Sequence, residues 1–370
     1  MTRILFVSSH AQRGGSERYL RGVLEELPRP AIVGIASLEG GPFVAELTAA
    51  GYAPTVIDCS GRATSIARAA LELRRLTRRS QPDVIHANGL KAALVTVLAG
   101  VGLGVPIVWV KHDFSRDGWL ARVVARRCSQ VVGVSTSVLG PLANRVRVPL
   151  HVVPPGIADV AVDRRAARTA VLELVGRGGE DLAVVALLGR LDPVKGQDEL
   201  LGAARAVVAR RPATCLLFAG PDDPSHPGER ARLERRAEEL GLAGHVVFVG
   251  YRSDALELVA GSDVIVIPSI APDSRRAGEG ASFVAIEALA VRTPVVAYAA
   301  GGVREVLGDC GVLVPPGDRT ALAEAIVTVL EDRTRRERLT ERGRARFLKR
   351  HLRARMAAGM SDRYLRAVHT

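Results

Sequence analysis

The sequence predicts an α/β protein of two doubly wound parallel-sheet domains facing a cleft. Three observations predict it. Short, continuously apolar runs alternate with longer segments of helical period, which is the pattern of strands buried on both faces and joined by helical crossovers. The chain has 370 residues, and at about 150 residues per domain that suggests two domains. Glycines and polar residues cluster directly after the apolar runs, where ligands bind in such sheets.

In the first half the expected strands are Ile4–Val7, Ala31–Ala36, Ala53–Ile57, Val84–Ala87, Ile107–Val110 and Val131–Val134, with helices such as Ser65–Arg79 and Trp119–Arg127 between them. Ala92–Val110 carries no charge, but Gly100, Gly102, Gly104 and Pro106 divide it. It reads as a buried helix, a Gly-rich turn and a strand rather than a membrane span. After the run His151–Val153 and the turn Pro154–Gly156, polar and Arg-rich sequence up to about Asp181 reads as the linker. A second series follows, with strands Leu182–Leu188, Thr214–Ala219, Val246–Val249, Val264–Ile267, Pro294–Tyr298 and Val312–Val314. Its helices are Gln197–Arg210, Gly228–Leu240, Ser282–Ala290 and Thr320–Glu331. The expected domains are residues 1–156 and 157–351.

Composition is ordinary for a globular chain, with 48% hydrophobic and 24% charged residues, and excludes a disordered or fibrous protein. Lys plus Arg is 51 against 39 acids, a net charge of +12. The only lysines are Lys91, Lys111, Lys195 and Lys349. Such a surface suits anionic partners, although an Arg-rich coding bias explains it as well. Aromatics are only 4%, too few for the stacking that single-stranded nucleic acid needs, so no nucleic-acid partner is expected. Cys59, Cys128, Cys215 and Cys310 are widely spaced without a C-x-x-C. That argues against zinc or a disulfide framework and for a cytoplasmic location. The N-terminal apolar run is too short for a signal peptide. Trp119–Arg127 combines Trp119, Leu120, Val123 and Val124 with Arg122, Arg126 and Arg127, so a peripheral membrane contact stays open.

Four clusters of residues carry chemistry. The run GRLDPVKGQDEL, Gly189–Leu200, puts Arg190 and Lys195 on a Gly-bounded loop before a helix. Two cations beside free helix N–H groups are what a diphosphate requires, although GxxxxGK[ST] is absent and this is no P-loop. The run EGASFVAIEALA, Glu279–Ala290, places Ser282 as a helix cap, with the Phe283 and Val284 amides as anion donors. Glu287 lies a turn inside and leans toward the N-terminus, where a carboxylate suits vicinal ribose hydroxyls. Glu279 precedes the helix, in position to meet a sugar. Gly14 and Gly15 follow the first strand and open a helix, allowing close backbone approach to a phosphate. His112 follows the fifth strand beside Asp113 and can hydrogen-bond a substrate hydroxyl; His86 is a weaker case of the same kind. Each feature also has a plain structural reading as a solvated turn, a paired helix acid or a core histidine. No Asp-x-Asp pair and no metal-spaced His/Asp/Glu cluster appears, so neither metal nor cofactor is expected. Arg190 and Lys195 then have to stabilise a leaving diphosphate themselves.

Together these residues resemble glycosyltransferase family four, retaining enzymes of the GT-B fold. In the first half the likeness is carried by GGSERYL (Gly14–Leu20), DVIHANGLKAAL (Asp83–Leu94), KHD (Lys111–Asp113), VVGVS (Val131–Ser135) and HVVPPGI (His151–Ile157). In the second half it is carried by GRLDPVKG, EGASFVAIEALA, GGVREV (Gly301–Val306) and GVLVPPGD (Gly311–Asp318). The resemblance implies two Rossmann-like domains, with a nucleotide-sugar held mostly by the second and the acceptor by the first. It matches Arg190 and Lys195 to the diphosphate-binding pair, Glu287 to the ribose-binding glutamate and Glu279 to the acid near the donor sugar. Gly15, with Gly14 beside it, matches the glycine approaching the phosphate, and His112 the histidine near the transferred sugar. It also implies a last helix, residues 352–370, that rejoins the first domain.

The chain departs from the family pattern in several places. Glu279-Gly280-Ala281-Ser282 stands where Glu-Gly-Phe-Gly is frequent, and Arg304 replaces a proline. The loop Pro268–Glu279 is long and holds Arg275 and Arg276. Asn88 stands where a second histidine is common. The expected activity is metal-independent transfer of a hexose from a UDP- or GDP-sugar, with UDP placed ahead of GDP, to an acceptor hydroxyl. A nucleotide-sugar epimerase of similar fold and a non-catalytic basic binding module are the alternatives. The acceptor, whether small molecule, polysaccharide or lipid-linked, is not written in the sequence.

Overall fold

The structure is a computed structural model that describes residues 1–114, 118–179, 181–270 and 279–369. Its contacts divide the chain into two compact units, residues 1–158 with 351–370, and residues 159–350.

Among the described residues, the first unit holds a seven-stranded sheet in the order β3-β2-β1-β4-β5-β6-β7. The strands are β1 (Ile4–Ser8), β2 (Ile32–Ser37), β3 (Pro54–Val56), β4 (Val84–Asn88), β5 (Ile107–Lys111), β6 (Gln130–Gly133) and β7 (Leu150–Val152). All pair in parallel. The crossovers are α1 (Gly15–Glu26), α2 (Pro42–Ala49), α3 (Ala63–Ser80), α4 (Leu90–Ala99), α5 (Trp119–Ala125) and α6 (Thr136–Leu139). Every residue of β1, β4, β5 and β6 is buried, so their largely apolar sequences follow from helices covering both faces. The uncharged stretch of the sequence is α4, a turn and β5. No helix among the described residues is long and apolar enough to cross a membrane.

The second unit carries a six-stranded parallel sheet in the order β10-β9-β8-β11-β12-β13. It begins with α7 (Arg164–Val175), followed by β8 (Ala183–Leu188), α8 (Gln197–Arg210), β9 (Thr214–Ala219), α9 (Glu229–Glu239), β10 (Val246–Gly250) and α10 (Ala255–Gly261). Next come β11 (Val264–Ile267), α11 (Phe283–Ala290), β12 (Val295–Tyr298), α12 (Val303–Leu307), β13 (Val312–Val314), α13 (Arg319–Glu331) and α14 (Arg333–Arg350). Two corrections to the sequence reading arise here. The run at His151–Val153 contributes a seventh strand, β7. The Arg-rich segment assigned to the linker contains α7, capped by Asp163 and burying Ala167, Val171 and Val175. Arg168 fastens this helix to Asp263 at 2.9 Å and to the Leu182 carbonyl at 2.5 Å.

The last helix, α15 (Arg353–Val368), belongs to the first unit. Leu352 bridges to Ile157, Arg353 pairs with Glu25 and Glu26 on α1, and Tyr364 is 1% exposed against the sheet.

Candidate functional site

In the second unit the loop after β8 is tightly pinned. The Gly189 amide donates to the Ala219 carbonyl at 2.8 Å and the Leu191 amide to Pro221 at 2.9 Å. Gln197 Nε2 donates to the Arg190 carbonyl at 2.7 Å. Asp192 caps the single turn Pro193–Lys195 through the Val194 amide. Two glycines are required by close approach. Gly196 has φ +77°, and a Cβ there would stand 2.0 Å from the Pro268 carbonyl oxygen. At Gly220 a Cβ would stand 1.9 Å from the Gly189 carbonyl oxygen. No other residue type fits either place.

On this loop Lys195 Nζ contacts Glu279 Oε1 at 2.6 Å, and Ser269 Oγ donates to the same oxygen at 3.1 Å. Lys195, Glu279, Ser269, Ser282 and Val284 share a small cavity of about 10 Å³ at the head of α11. Burial alone would raise the Glu279 carboxyl. The Lys195 ammonium and hydrogen bonds from Lys195, Ser282 and Ser269 outweigh it and hold the acid below its ordinary range. Ser282 caps α11 as expected, its Oγ accepting from the Ala285 amide at 3.3 Å. Glu287, one turn further, is 4% exposed. Phe283 and Val284 are half-buried at the helix start.

Arg190 faces a different pair of acids. Its Nη1 lies 2.7 Å from Asp223 and its Nη2 3.5 Å from Asp192, while its own side chain stays 51% exposed. Burial raises the Asp223 carboxyl, but the Ser225 amide and Arg190 bring it below its usual range. Asp192, Asp223 and His226 place ligand atoms within 4.8 Å of one another, a group able to hold a cation among the described residues. Spacing could not reveal it, because Asp192 and Asp223 meet only through the pairing of β8 with β9. The Arg190 guanidinium already hydrogen-bonds Asp223 and lies in ion-pair contact with Asp192. Arg275 and Arg276 lie outside the described residues.

The first unit holds Gly14, Gly15 and His112. Gly14 precedes α1 and Gly15 begins it. The space before Gly14 is taken by the Glu17 carboxylate, which would stand 2.6 Å from a Cβ at that position. Ser16 Oγ donates to Glu17, and burial raises that carboxyl. The sequence reading left this acid out. His112 Nε2 lies 2.6 Å from Asn88 Oδ1, and its ring meets Tyr19 edge to face at 5.2 Å. Burial lowers the His112 imidazole to about 4, opposed by Asp113 and reinforced by Lys111. His86 is fully buried and lowered by burial to about 3. His112 and Asn88 line a cavity of about 290 Å³ with Lys91, Lys111, Trp109 and Leu94. Lys91 is itself paired with Glu39 at 3.2 Å.

Residues 177–346 match the model described as glycosyl transferases group 1, and residues 13–159 match that of glycosyltransferase family 4. The chain belongs to the glycosyltransferases of family four. It is 32% identical over 274 residues to D-inositol 3-phosphate glycosyltransferase of Mycolicibacterium smegmatis, across 67% of this chain and 60% of that protein's length. It is 28% identical over 296 residues to glycogen synthase of Mycobacterium tuberculosis, across 76% of this chain and 68% of that protein. The crystal structure of Anabaena HepE in complex with UDP and glucose superposes with a TM-score of 0.85 at 23% identity, covering 98% of this chain and 99% of that one. At that identity the likeness is one of fold, the GT-B architecture of two Rossmann-like units.

The buried histidines make stability depend on pH. In the unfolded chain His86 and His112 bind protons near the ordinary value of 6.5, in the folded chain only at about 3 and 4. The unfolded state therefore binds more protons throughout that window. Their contribution is complete above pH 6.5 and is lost as pH falls, by about 1.4 kcal/mol per pH unit for each group. In His86→Gln, the slope of urea-unfolding free energy against pH between about 6 and 4 falls by roughly that amount. An unchanged slope contradicts a neutral buried His86.

Proposed function

We propose that this protein transfers a hexose from a nucleoside-diphosphate sugar, a UDP-sugar first, to an acceptor hydroxyl, with retention of configuration and without a metal. The observation that carries this reading is the convergence of charged and polar side chains at the head of α11. There the Lys195 ammonium, the Glu279 carboxylate and Ser282 converge, with Arg190 on the same pinned loop. The family membership supports it, as does the fold shared with HepE, whose structure is described as a complex with UDP and glucose.

A diphosphate at this loop meets Lys195 and the exposed guanidinium of Arg190, which carries five N–H donors in a fixed fork. When the Lys195 ammonium turns to phosphate, Glu279 keeps a carboxylate for the hydroxyls of the sugar. Glu287, inside α11, is the acid for the ribose. As the bond from the anomeric carbon to the diphosphate breaks, the acceptor oxygen bonds to that carbon from the same face, and its proton passes to the departing phosphate oxygen. Arg190 and Lys195 stabilise the charge growing there more strongly than in the ground state, which is what accelerates the step. His112, in the first unit, meets a hydroxyl of the transferred sugar.

Lys195→Ala is expected to lower kcat/KM by about 100-fold or more while circular dichroism stays that of the wild type. The assay follows sugar transfer from UDP- and GDP-hexoses to a panel of hydroxyl acceptors that includes D-inositol 3-phosphate and a glucan. Normal turnover in the variant contradicts the assignment. Free nucleotide with a rearranged sugar and no acceptor identifies an epimerase instead.

One observation favours a peripheral contact of α5 with an anionic bilayer. Trp119 is 69% and Val123 44% exposed, beside the exposed Arg126 and Arg127. Flotation with acidic phospholipid vesicles should carry the wild type upward and leave Trp119→Ser behind. No flotation of the wild type ends this reading.

A further inference from the structure

Asn88 ends β4 and is 1% exposed. Its Nδ2 lies 3.1 Å from the Ser16 carbonyl oxygen. A carbonyl only accepts, so that end of the amide is the NH2 group and the opposite end is the oxygen. The oxygen faces two imidazoles, His112 Nε2 at 2.6 Å and His86 Nε2 at 3.5 Å. An amide oxygen also only accepts, so both Nε2 atoms carry the hydrogen. A neutral imidazole has one N–H, which leaves Nδ1 of each ring with a lone pair. At His86 that lone pair is satisfied, since the Tyr364 hydroxyl of α15 lies 2.6 Å from Nδ1 and donates to it. The bond directions therefore agree from the C-terminal helix to the fifth strand. Tyr364 donates to His86, and His86 and His112 both donate to Asn88.

We infer that Asn88 is a positioning residue that holds His112 as its Nε2–H tautomer, so that a ligand hydroxyl meeting this imidazole donates to Nδ1. The role in sugar transfer rests on the function proposed above; the tautomer does not. The residue type at position 88 matters. A histidine there could donate or accept and would leave the tautomer of His112 open. A carboxylate would draw a second proton onto the ring. The amide does neither, because its NH2 end is committed to Ser16.

The groups facing His112 are Lys111 on β5, Asp113 just after it, Tyr19 on α1, and His86 on β4 through Asn88. Burial keeps the ring neutral at physiological pH, the state in which one nitrogen donates and the other accepts.

Long-range ¹H–¹⁵N spectra of the full ¹⁵N-labelled chain read the tautomer directly, with the His112 signals assigned by their loss in His112→Gln. At pH 7 the wild type should show a protonated, pyrrole-type Nε2 and a lone-pair, pyridine-type Nδ1. In Asn88→Ala the two nitrogens should move toward a common averaged shift. In Asn88→Asp the imidazolium should persist upward by about 1–3 pH units, and the acidic limb of the kcat/KM profile for donor turnover should move with it. A wild-type ring protonated at Nδ1 overturns the inference, even if neither variant folds. So does an Asn88→Ala variant that keeps the wild-type Nε2–H signature. Wild-type sugar transfer in His112→Gln, with the tautomer as described, removes His112 from the reaction and leaves the Asn88 orientation standing. Inactivity of the wild type toward every donor ends the proposed function without touching the spectra.

Discussion

The second unit's site depends on the contact between Lys195 and Glu279. The pair joins the loop after β8 to the head of α11 across 84 residues of sequence at 2.6 Å, with both side chains largely shielded from water. Removing one partner of such a pair strands the other charge, so the two segments are held in one arrangement. The close approach of Gly196 to Pro268, just after β11, holds the same loop against a second segment from the backbone side. The contact holds the Lys195 ammonium at the head of α11, largely shielded from water and ion-paired to the Glu279 carboxylate.

The first unit solves a related problem with hydrogen bonds. The buried side chains of Tyr364, His86 and Asn88 hydrogen-bond in sequence, and the Asn88 amide closes the chain on the Ser16 carbonyl. A network satisfied in this way costs little and specifies one arrangement. It also ties α15, the last element of the chain, to a strand near its beginning.

Most of the fold was legible because burial on both faces leaves an unmistakable trace. The runs Thr214–Ala219, Val264–Ile267 and Val312–Val314 are the strands themselves. What escaped was written in weaker signals. β7 has three residues at a sheet edge, too few to show a period. α7 hid behind its arginines, although Asp163 as a cap and Ala167, Val171 and Val175 at intervals of four were available to mark it. At the site, Ser282 was legible as a cap because capping is local. The Arg190 contacts with Asp192 and Asp223 were not, since they depend on which strands pair. Nor was Glu17, whose carboxylate occupies the glycine-rich start of α1 that the sequence suggests is open to phosphate. A pattern of glycines shows where backbone can be approached but not which side chain arrives first.

In the proposed function the second unit clasps a pyrophosphoryl group between Arg190 and Lys195. A crystal structure of the protein with UDP, and one with GDP, tests it most directly. Diphosphate oxygens are expected within hydrogen-bond distance of both side chains, with Lys195 drawn from Glu279 toward phosphate and the ribose hydroxyls on Glu287. A nucleotide bound with its diphosphate away from the loop Gly189–Gly196, both cations still on their carboxylates, would contradict it.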